Sequence, residues 1–469
     1  MTKFFIDQHG CAKNQTDGEL IVGYLSKIGF ELTQNPDEAA FIIVNSCGFI
    51  ESAKKESIDA VYSIHNNYPD AKIILTGCLA QRYAETLAES MPELDGVFGN
   101  GDLSKIGEFM KSLSKDSSAH PFQTFPQTGV CSGDRPVLFN YPASAYVKIT
   151  EGCSNHCSFC AIPLIRGELR SRPQKEIIEE IQKLVKDGIY EINLIGQDLA
   201  AYGSEPGFEG NLYSLLKMIS EIPGDFIVRL LYIHPDHFNS DILDVMKKDS
   251  RFLHYFDIPF QSGDDQIIKK MNRTGSRKLY VSLVENIRQL LPDCALRTTF
   301  LTGFPGETDA NASNTLDFLN DIRPSWSGCF PYSREEDTPA YNFKGKVSSK
   351  TAQKRASILE ERQAQITAEY LGSFVGKTVS VLIEEVIESP EDDLSGEGLA
   401  IGRAWFQAPD VDGSVVVRYD ADDENQKKAI QPGNVVNVKI LASTGVDLDG
   451  RFESLLREFP KKSEHKFIF

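Results

Sequence analysis

Apolar residues along the first hundred positions recur in two rhythms. Lys3–Asp7, Phe41–Asn45 and Lys72–Thr76 are short, nearly continuous apolar runs, the pattern of strands buried on both faces. Between them Glu19–Ile28 and Ile50–His65 carry helical spacing. Such alternation predicts a small parallel α/β domain over residues 1–105. Residues 106–142 hold Ser112, Ser114, Ser117, Ser118, Pro121, Pro126 and Pro136 and read as a linker. From Ala143 the alternation resumes on a larger scale. Strands are predicted at Ala145–Ile149, Glu191–Ile195, Ile227–Tyr232, Tyr255–Pro259, Ala295–Leu301 and Ser327–Tyr332, with helices such as Gln174–Asp187 between them. Six β/α units predict an open or partial barrel over 143–372, left by a long helix at Lys350–Leu371. Residues 373–446 change to Val-rich alternation with Gly and Pro turns (Val379–Ile383, Ser414–Val417, Val435–Val438), the pattern of a small antiparallel β-barrel. Residues 447–469 are left as a tail.

Composition narrows the class. No apolar stretch among the 469 residues approaches a membrane span, and the start, Met1–Gln8, is too short and polar for a signal peptide. Nine cysteines, an odd number, suit a reducing cytoplasm and metal ligation better than disulfides. A net charge of -18 gives little help in binding nucleic acid directly and favours a basic partner. The barrel-like segment 373–446 holds 13 acidic and 6 basic residues, a formal charge of -7, which again suits a basic protein.

Chemistry enters with Cys153, Cys157 and Cys160, packed just after the first predicted barrel strand. Electron-transfer clusters take four thiolates; a cluster held by three keeps an iron open to a small molecule. Zinc is the competing reading, but no second ligand pair follows, the next cysteine being Cys294, and His156 lies inside the same tight loop. Cys11, Cys47 and Cys78 each lie just beyond a predicted strand of the first domain, beside Gly10, Gly48 and Gly77. Carboxyl ends of parallel strands share one edge, so these three can converge on a second three-thiolate cluster; the alternative is that they are merely buried cysteines. Cys131, Cys294 and Cys329 receive no role.

The motif Cys153-x-x-x-Cys157-x-Phe159-Cys160 resembles the signature of radical S-adenosylmethionine enzymes. With Ala161-Ile162-Pro163, Arg166-Gly167-Glu168-Leu169-Arg170-Ser171-Arg172-Pro173, Gly10-Cys11-Ala12-Lys13-Asn14, Asn45-Ser46-Cys47 and Gly77-Cys78, nearly the whole chain resembles the methylthiotransferases of that superfamily. Gly402-Arg403-Ala404-Trp405 and Ala408-Pro409-Asp410-Val411-Asp412-Gly413 resemble the TRAM domain that closes such chains. Lys13-Asn14, Gln197-Asp198, Tyr232-Ile233-His234-Pro235 and the acidic TRAM segment resemble the branch that modifies a ribosomal protein, the RimO branch. Ala12 and Leu199-Ala200-Ala201 depart from its pattern.

The resemblance implies a multidomain α/β fold: a flavodoxin-like domain, a partial (β/α)6 radical barrel and a TRAM β-barrel. It implies two [4Fe-4S] clusters, on Cys11, Cys47 and Cys78 and on Cys153, Cys157 and Cys160, with S-adenosylmethionine bound at the open iron of the latter. The expected reaction places a methylthio group on the β-carbon of an aspartate in the twelfth protein of the small ribosomal subunit, free or in the assembled ribosome, with an external electron donor. No catalytic residue beyond the cluster ligands is expected. Barrel position makes Phe159, Gly196, Gln197, Gln261, Arg297 and Gly303 candidate contacts of S-adenosylmethionine, Arg297 through its carboxylate; each is equally readable as a capping or packing residue. Two alternatives remain: a methylthiotransferase for transfer-RNA adenosine, and a non-catalytic iron–sulfur electron carrier.

Overall fold

The computed structural model describes residues 2–113, 121–125, 128–388, 396–460, 463 and 465–468. Part of the predicted linker, including Ser114, Ser117, Ser118 and Pro126, lies outside them.

The amino-terminal domain is built on six parallel strands in the order Phe30–Leu32, Thr2–Gln8, Phe41–Ser46, Lys72–Thr76, Gly96–Gly99 and Phe122–Gln123. Alternate residues of each strand feed two cores. Phe4, Phe41, Ile43, Ile74 and Phe98 pack on one face; Ile42, Val44, Ile73, Leu75 and Val97 pack on the other. The doubly covered sheet explains why these runs contain almost no polar residue. This strand order is flavodoxin-like, and it reverses direction between Thr2–Gln8 and Phe41–Ser46. The predicted linker contributes to this domain: Ile106–Leu113 is a helix with Ile106, Phe109 and Met110 buried, and Phe122–Gln123 is the edge strand.

The central domain has six parallel strands, Ser144–Lys148, Glu191–Ile195, Ile227–Leu230, Phe252–Asp257, Ala295–Thr302 and Trp326–Pro331, adjacent in chain order. Helices cover their outer face, where Ala145, Val147, Ile192, Leu194, Val228, Leu230, Phe256 and Leu296 are buried. The inner face is a half-barrel, and its lower layer is closed by the carboxyl-terminal domain. Tyr146, Leu253, Tyr255, Ala295 and Trp326 share one core with Val381, Phe406, Val417 and Val438.

That last domain is a closed five-stranded barrel of Thr378–Ile387, Glu397–Ala404, Val415–Asp420, Asp447–Arg457 and Val435–Thr444. Two corrections to the sequence expectation follow. Asp447–Arg457, set apart as tail, is a barrel strand of eleven residues. Three register shifts against Val435–Thr444 break the alternation that would have revealed it. The barrel is also not wholly antiparallel, because Val415–Asp420 pairs parallel with Asp447–Arg457. Beyond it, Lys466–Phe467 pairs parallel with Val137–Leu138. The chain end is thus a strap across the segment joining the first two domains.

Candidate cluster sites between two domains

The loop carrying Cys153, Cys157 and Cys160 leaves the first half-barrel strand through Thr150–Glu151, which pairs with Arg170–Ser171. Gly152 adopts a φ of +75°, and a Cβ there would lie 2.0 Å from the Glu168 carbonyl oxygen, so glycine is required. The loop is pinned at several points. The Cys153 N–H donates to the Gly167 carbonyl at 3.0 Å, Ser158 donates to the Met271 and Lys270 carbonyls, and Asn155 Nδ2 donates to Asp198 Oδ2 at 3.0 Å. Asp198 also accepts from the N–H groups of Ala200 and His234 and pairs with His237. His234 Nε2 lies 3.9 Å from Cys157 Sγ. Burial, reinforced by the Arg273 charge, pushes this imidazole down to about 3, which keeps it neutral beside the thiol. Burial pushes the Cys153 thiol up to about 11 and the Cys160 thiol up to about 12.

The second triad converges as the strand-end argument requires. Cys11 caps the helix Ala12–Lys27, Cys47 follows Phe41–Ser46, and Cys78 lies in the first turn of the helix Gly77–Ser90. Cys11 and Cys47 therefore flank the point where the strand order reverses, the place open α/β sheets reserve for ligands. Gly10, at φ +87°, leaves room for Cys47, whose Cβ would lie 3.0 Å from an added Cβ. Although its surface is accessible, Cys11 sits deep enough that burial opposes ionisation. The charges of Lys13 and Arg166 and the N–H groups of Asn14 and Lys13 overcome that and lower its pKa. Cys78 stays high, at about 12, because burial outweighs Arg166.

Donor spacing bears on which metal fits. Among the described residues, only Asp198, His234 and His237 bring three ligand atoms within 4.8 Å of one another, so the sulfurs of each cysteine triad stand wider. A tetrahedral zinc with Zn–S of about 2.3 Å would draw its sulfurs to about 3.8 Å. Both triads are too open for one zinc and suit a polynuclear cluster with one corner left to a non-protein ligand.

Sequence reasoning missed the group that joins the triads. Arg166 ends the short helix that follows Cys160, is 3% exposed, and donates through Nη2 to Cys78 Sγ at 3.2 Å. Its Nη1 lies 2.9 Å from both Asp17 Oδ2 and Glu151 Oε1. Lys148 completes the network, bound to Asp17 and Glu151. Burial alone would raise the Glu151 carboxyl, but Arg166 and Lys148 hold it far below the usual carboxylate range. Beside these charges Cys78 packs against Ala161 and Ile165, so a residue of one site touches the loop of the other. The available signal was Lys148, a charged residue directly after the apolar run Ala145–Val147.

The candidate cofactor contacts separate. Phe159 and Gln261 line one cavity of about 430 Å³ with Phe49, Ile50, Leu301 and Glu335, between the Cys47 loop and the carboxyl ends of the barrel strands. Gln197 donates to Glu151 Oε1 at 2.9 Å, while its own Oε1 is buried without a partner. Gly196 lies against Thr150, where a Cβ would meet Oγ1 at 2.0 Å, and Gly303 lies under the long helix against Ala352. Arg297 is not brought to this region. It points into the lower half-barrel and is ion-paired with Asp412 of the TRAM loop, because it is only the third residue of its strand. Tyr255 donates to the same Asp412 at 2.6 Å and Tyr146 to Asp410 at 3.1 Å, so that loop plugs the barrel.

Comparisons with known proteins agree with this architecture. Residues 3–99 match the uncharacterized protein family UPF0004, 147–319 the radical SAM superfamily and 375–452 the TRAM domain. The ribosomal protein uS12 methylthiotransferase RimO of Treponema denticola is 50% identical over 467 residues, covering 95% of this chain and 99% of that protein. The chain belongs to the RimO family. Other RimO proteins, from Carboxydothermus hydrogenoformans at 36% identity and Thermosipho africanus at 38%, each cover 96% of the chain and are themselves matched over 99%. Beyond the RimO family, the radical S-adenosylmethionine methyltransferase TsrM from Kitasatospora setae, solved with cobalamin and a [4Fe-4S] cluster, shares the fold. Its TM-score is 0.54 at 14% identity, over 72% of this chain and 77% of that one.

Proposed function

We propose that this chain places a methylthio group on the β-carbon of an aspartate in ribosomal protein uS12, in the cytoplasm, drawing on an external electron donor. Two cysteine triads from separate domains, joined through Arg166, carry the reading, together with 50% identity to a protein of that name. The six thiols would hold two [4Fe-4S] clusters. Bound clusters and S-adenosylmethionine would supply reductive carbon–sulfur cleavage, activation of an unreactive C–H bond, and sulfur.

The chain's own residues do the rest. Asn155, Asp198 and Ser158 fix the barrel cysteine loop. Phe49, Phe159 and Leu301 give the cavity apolar walls. Arg166 and Lys148 balance Asp17 and Glu151 between the sites. Glu335 binds Arg82 and Lys54, both from the amino-terminal domain, at 2.8 Å each, and so latches that domain over the cavity.

Reconstituted full-length protein, given S-adenosylmethionine, a strong reductant and uS12, should release deoxyadenosine and yield uS12 with a methylthio-sized mass increment. Deoxyadenosine with unmodified uS12, and methylthiolated adenosine in transfer RNA, would move the substrate to the other branch. Absence of deoxyadenosine would leave an electron carrier.

A further inference from the structure

The three thiols of the barrel loop face hydrogen-bond donors of two kinds. Backbone N–H groups of Asn155 and Ile162, each two residues further along the chain, face the sulfurs of Cys153 and Cys160. Cys157 Sγ instead lies 3.9 Å from Nε2 of His234, a side chain from another strand end 77 positions away. Cys157 and His234 are both buried. A donor supplied from inside the loop comes with the loop. A donor brought from the next-but-one strand is a feature of the folded half-barrel, and its chemistry can be changed without touching the loop.

The fold decides which ring nitrogen carries the proton. His234 caps the turn Pro235–His237, its Nδ1 accepting the Asp236 N–H at 3.2 Å. An accepting nitrogen keeps its lone pair free, so the imidazole proton is on Nε2, the atom that faces Cys157. The spacing is fixed from both sides. Asp198 accepts the His234 backbone N–H at 3.1 Å through one oxygen and Asn155 Nδ2 of the cysteine loop at 3.0 Å through the other. Asp236, in turn, accepts from the Thr274 N–H at 2.8 Å and the Tyr280 hydroxyl at 2.7 Å. The segment carrying the nitrogen and the loop carrying the sulfur are thus tied to one buried carboxylate.

We infer that His234 donates its Nε2–H to the Cys157 thiolate and makes the barrel cluster easier to reduce. This rests on the proposed function above, which puts a cluster on that triad. Cluster binding deprotonates the thiol, so the acceptor is an anion and the hydrogen bond is charge-assisted. The external donor delivers one electron; no proton moves and no covalent bond forms or breaks in that step. The added negative charge is shared with the ligating sulfurs, so the Nε2–H stabilises the reduced state more than the oxidised one. Hydrogen bonds to sulfur are among the means by which a protein sets a cluster's potential. His234 acts through Cys157 and is therefore a positioning residue; it touches no substrate.

Midpoint potentials separate this role from a merely structural one. Full-length, iron-loaded protein is reduced stepwise at controlled potential and followed by electron paramagnetic resonance, with the Cys47→Ala background assigning the barrel cluster. His234→Phe fills the space of the ring without a donor. His234→Asn keeps an acceptor for the Asp236 N–H but is too short to reach Cys157. At matched iron content both should shift the barrel cluster's reduction about tenfold toward the oxidised form, a midpoint lower by about 59 mV for one electron. The potential of the other cluster should stay where it is. A barrel potential that moves in neither variant overturns the inference. A shift in His234→Phe alone also overturns it, because the cap and not the donor would then set the potential. A barrel triad that takes up no iron overturns the proposed function as well, whereas a loaded cluster with an unmoved potential overturns this inference alone.

Discussion

The two cysteine triads supply the same number of thiols by opposite means. Cys153, Cys157 and Cys160 belong to one loop, pinned by backbone and side-chain hydrogen bonds, and burial dominates the pKa of its outer two thiols. Cys11, Cys47 and Cys78 come from three segments that only a parallel sheet brings together, and cations stand beside them. A local loop makes its site wherever it is placed. A site assembled from strand ends depends on the whole domain and on what docks against it. Here that docking partner is Arg166, which comes from the helix next to the other triad.

Removing one ligand from each triad breaks the comparison most sharply. Cys157→Ala and Cys47→Ala should each lose about half of the iron, four of eight atoms for two cubane clusters. Deoxyadenosine formation should vanish in Cys157→Ala and persist in Cys47→Ala, with methylthiolated product absent from both. Iron analysis and nucleoside chromatography read the two outcomes. Unchanged iron in Cys47→Ala would remove the second cluster.

Arg166 is shared by both sites, so its loss should reach both. Arg166→Gln leaves Asp17 and Glu151 with Lys148 as their remaining cation, in a buried network where breaking a pair costs about 3–5 kcal/mol. Chemical unfolding should show that loss, with Arg166→Lys intermediate because it keeps the charge without the planar fork. A smaller effect is expected at the latch. Glu335→Gln should cost about 1–3 kcal/mol locally and speed hydrogen exchange over residues 49–54, next to the Cys47 loop, while leaving exchange around Cys153 unchanged.

The weakest effect concerns the strap that secures the sheet-assembled site. His465 is buried, with Nδ1 2.8 Å from the Arg135 carbonyl and Nε2 3.2 Å from Asp187 Oδ2. Arg135 in turn holds Glu19 of the helix behind Cys11. Burial lowers the His465 pKa despite the hydrogen bond to Arg135. A released strap takes up a proton near its ordinary value of about 6.5, and the docked strap resists it. Docking is therefore at full strength above that pH and weakens as pH falls toward the lower docked value. The protection of the Lys466–Phe467 amides, taken relative to their intrinsic exchange rate at each pH, should fall from pH 7 to pH 5, and His465→Gln should flatten that dependence.

Much of this molecule is written in its local patterns. Glu191–Ile195 and Lys72–Thr76 are short segments built around Ile and Leu, and their strand limits in the structure coincide with the pattern. The short strands Phe30–Leu32 and Gly96–Gly99 carry too few residues to show a period. Asp447–Arg457 is disguised by bulges and by charged residues on its outer face. The barrel triad was legible as spacing alone. The other was legible only because its cysteines fall at equivalent strand ends. A position in a barrel strand says little until the layer is known, and Arg297 lies in a layer where it pairs with Asp412 of the TRAM plug. Arg166 and Lys148 form their network with Asp17, 149 and 131 positions away, which no local pattern records.

The central claim is that two clusters held by separate domains act together on uS12. The most direct measurement is the intact mass of uS12 from cells with and without this chain, complemented by the Cys47→Ala variant. A methylthio-sized increment is expected with the unaltered chain and in neither of the other two. An unchanged uS12 mass in cells making the unaltered protein, or an increment that survives Cys47→Ala, would contradict the account.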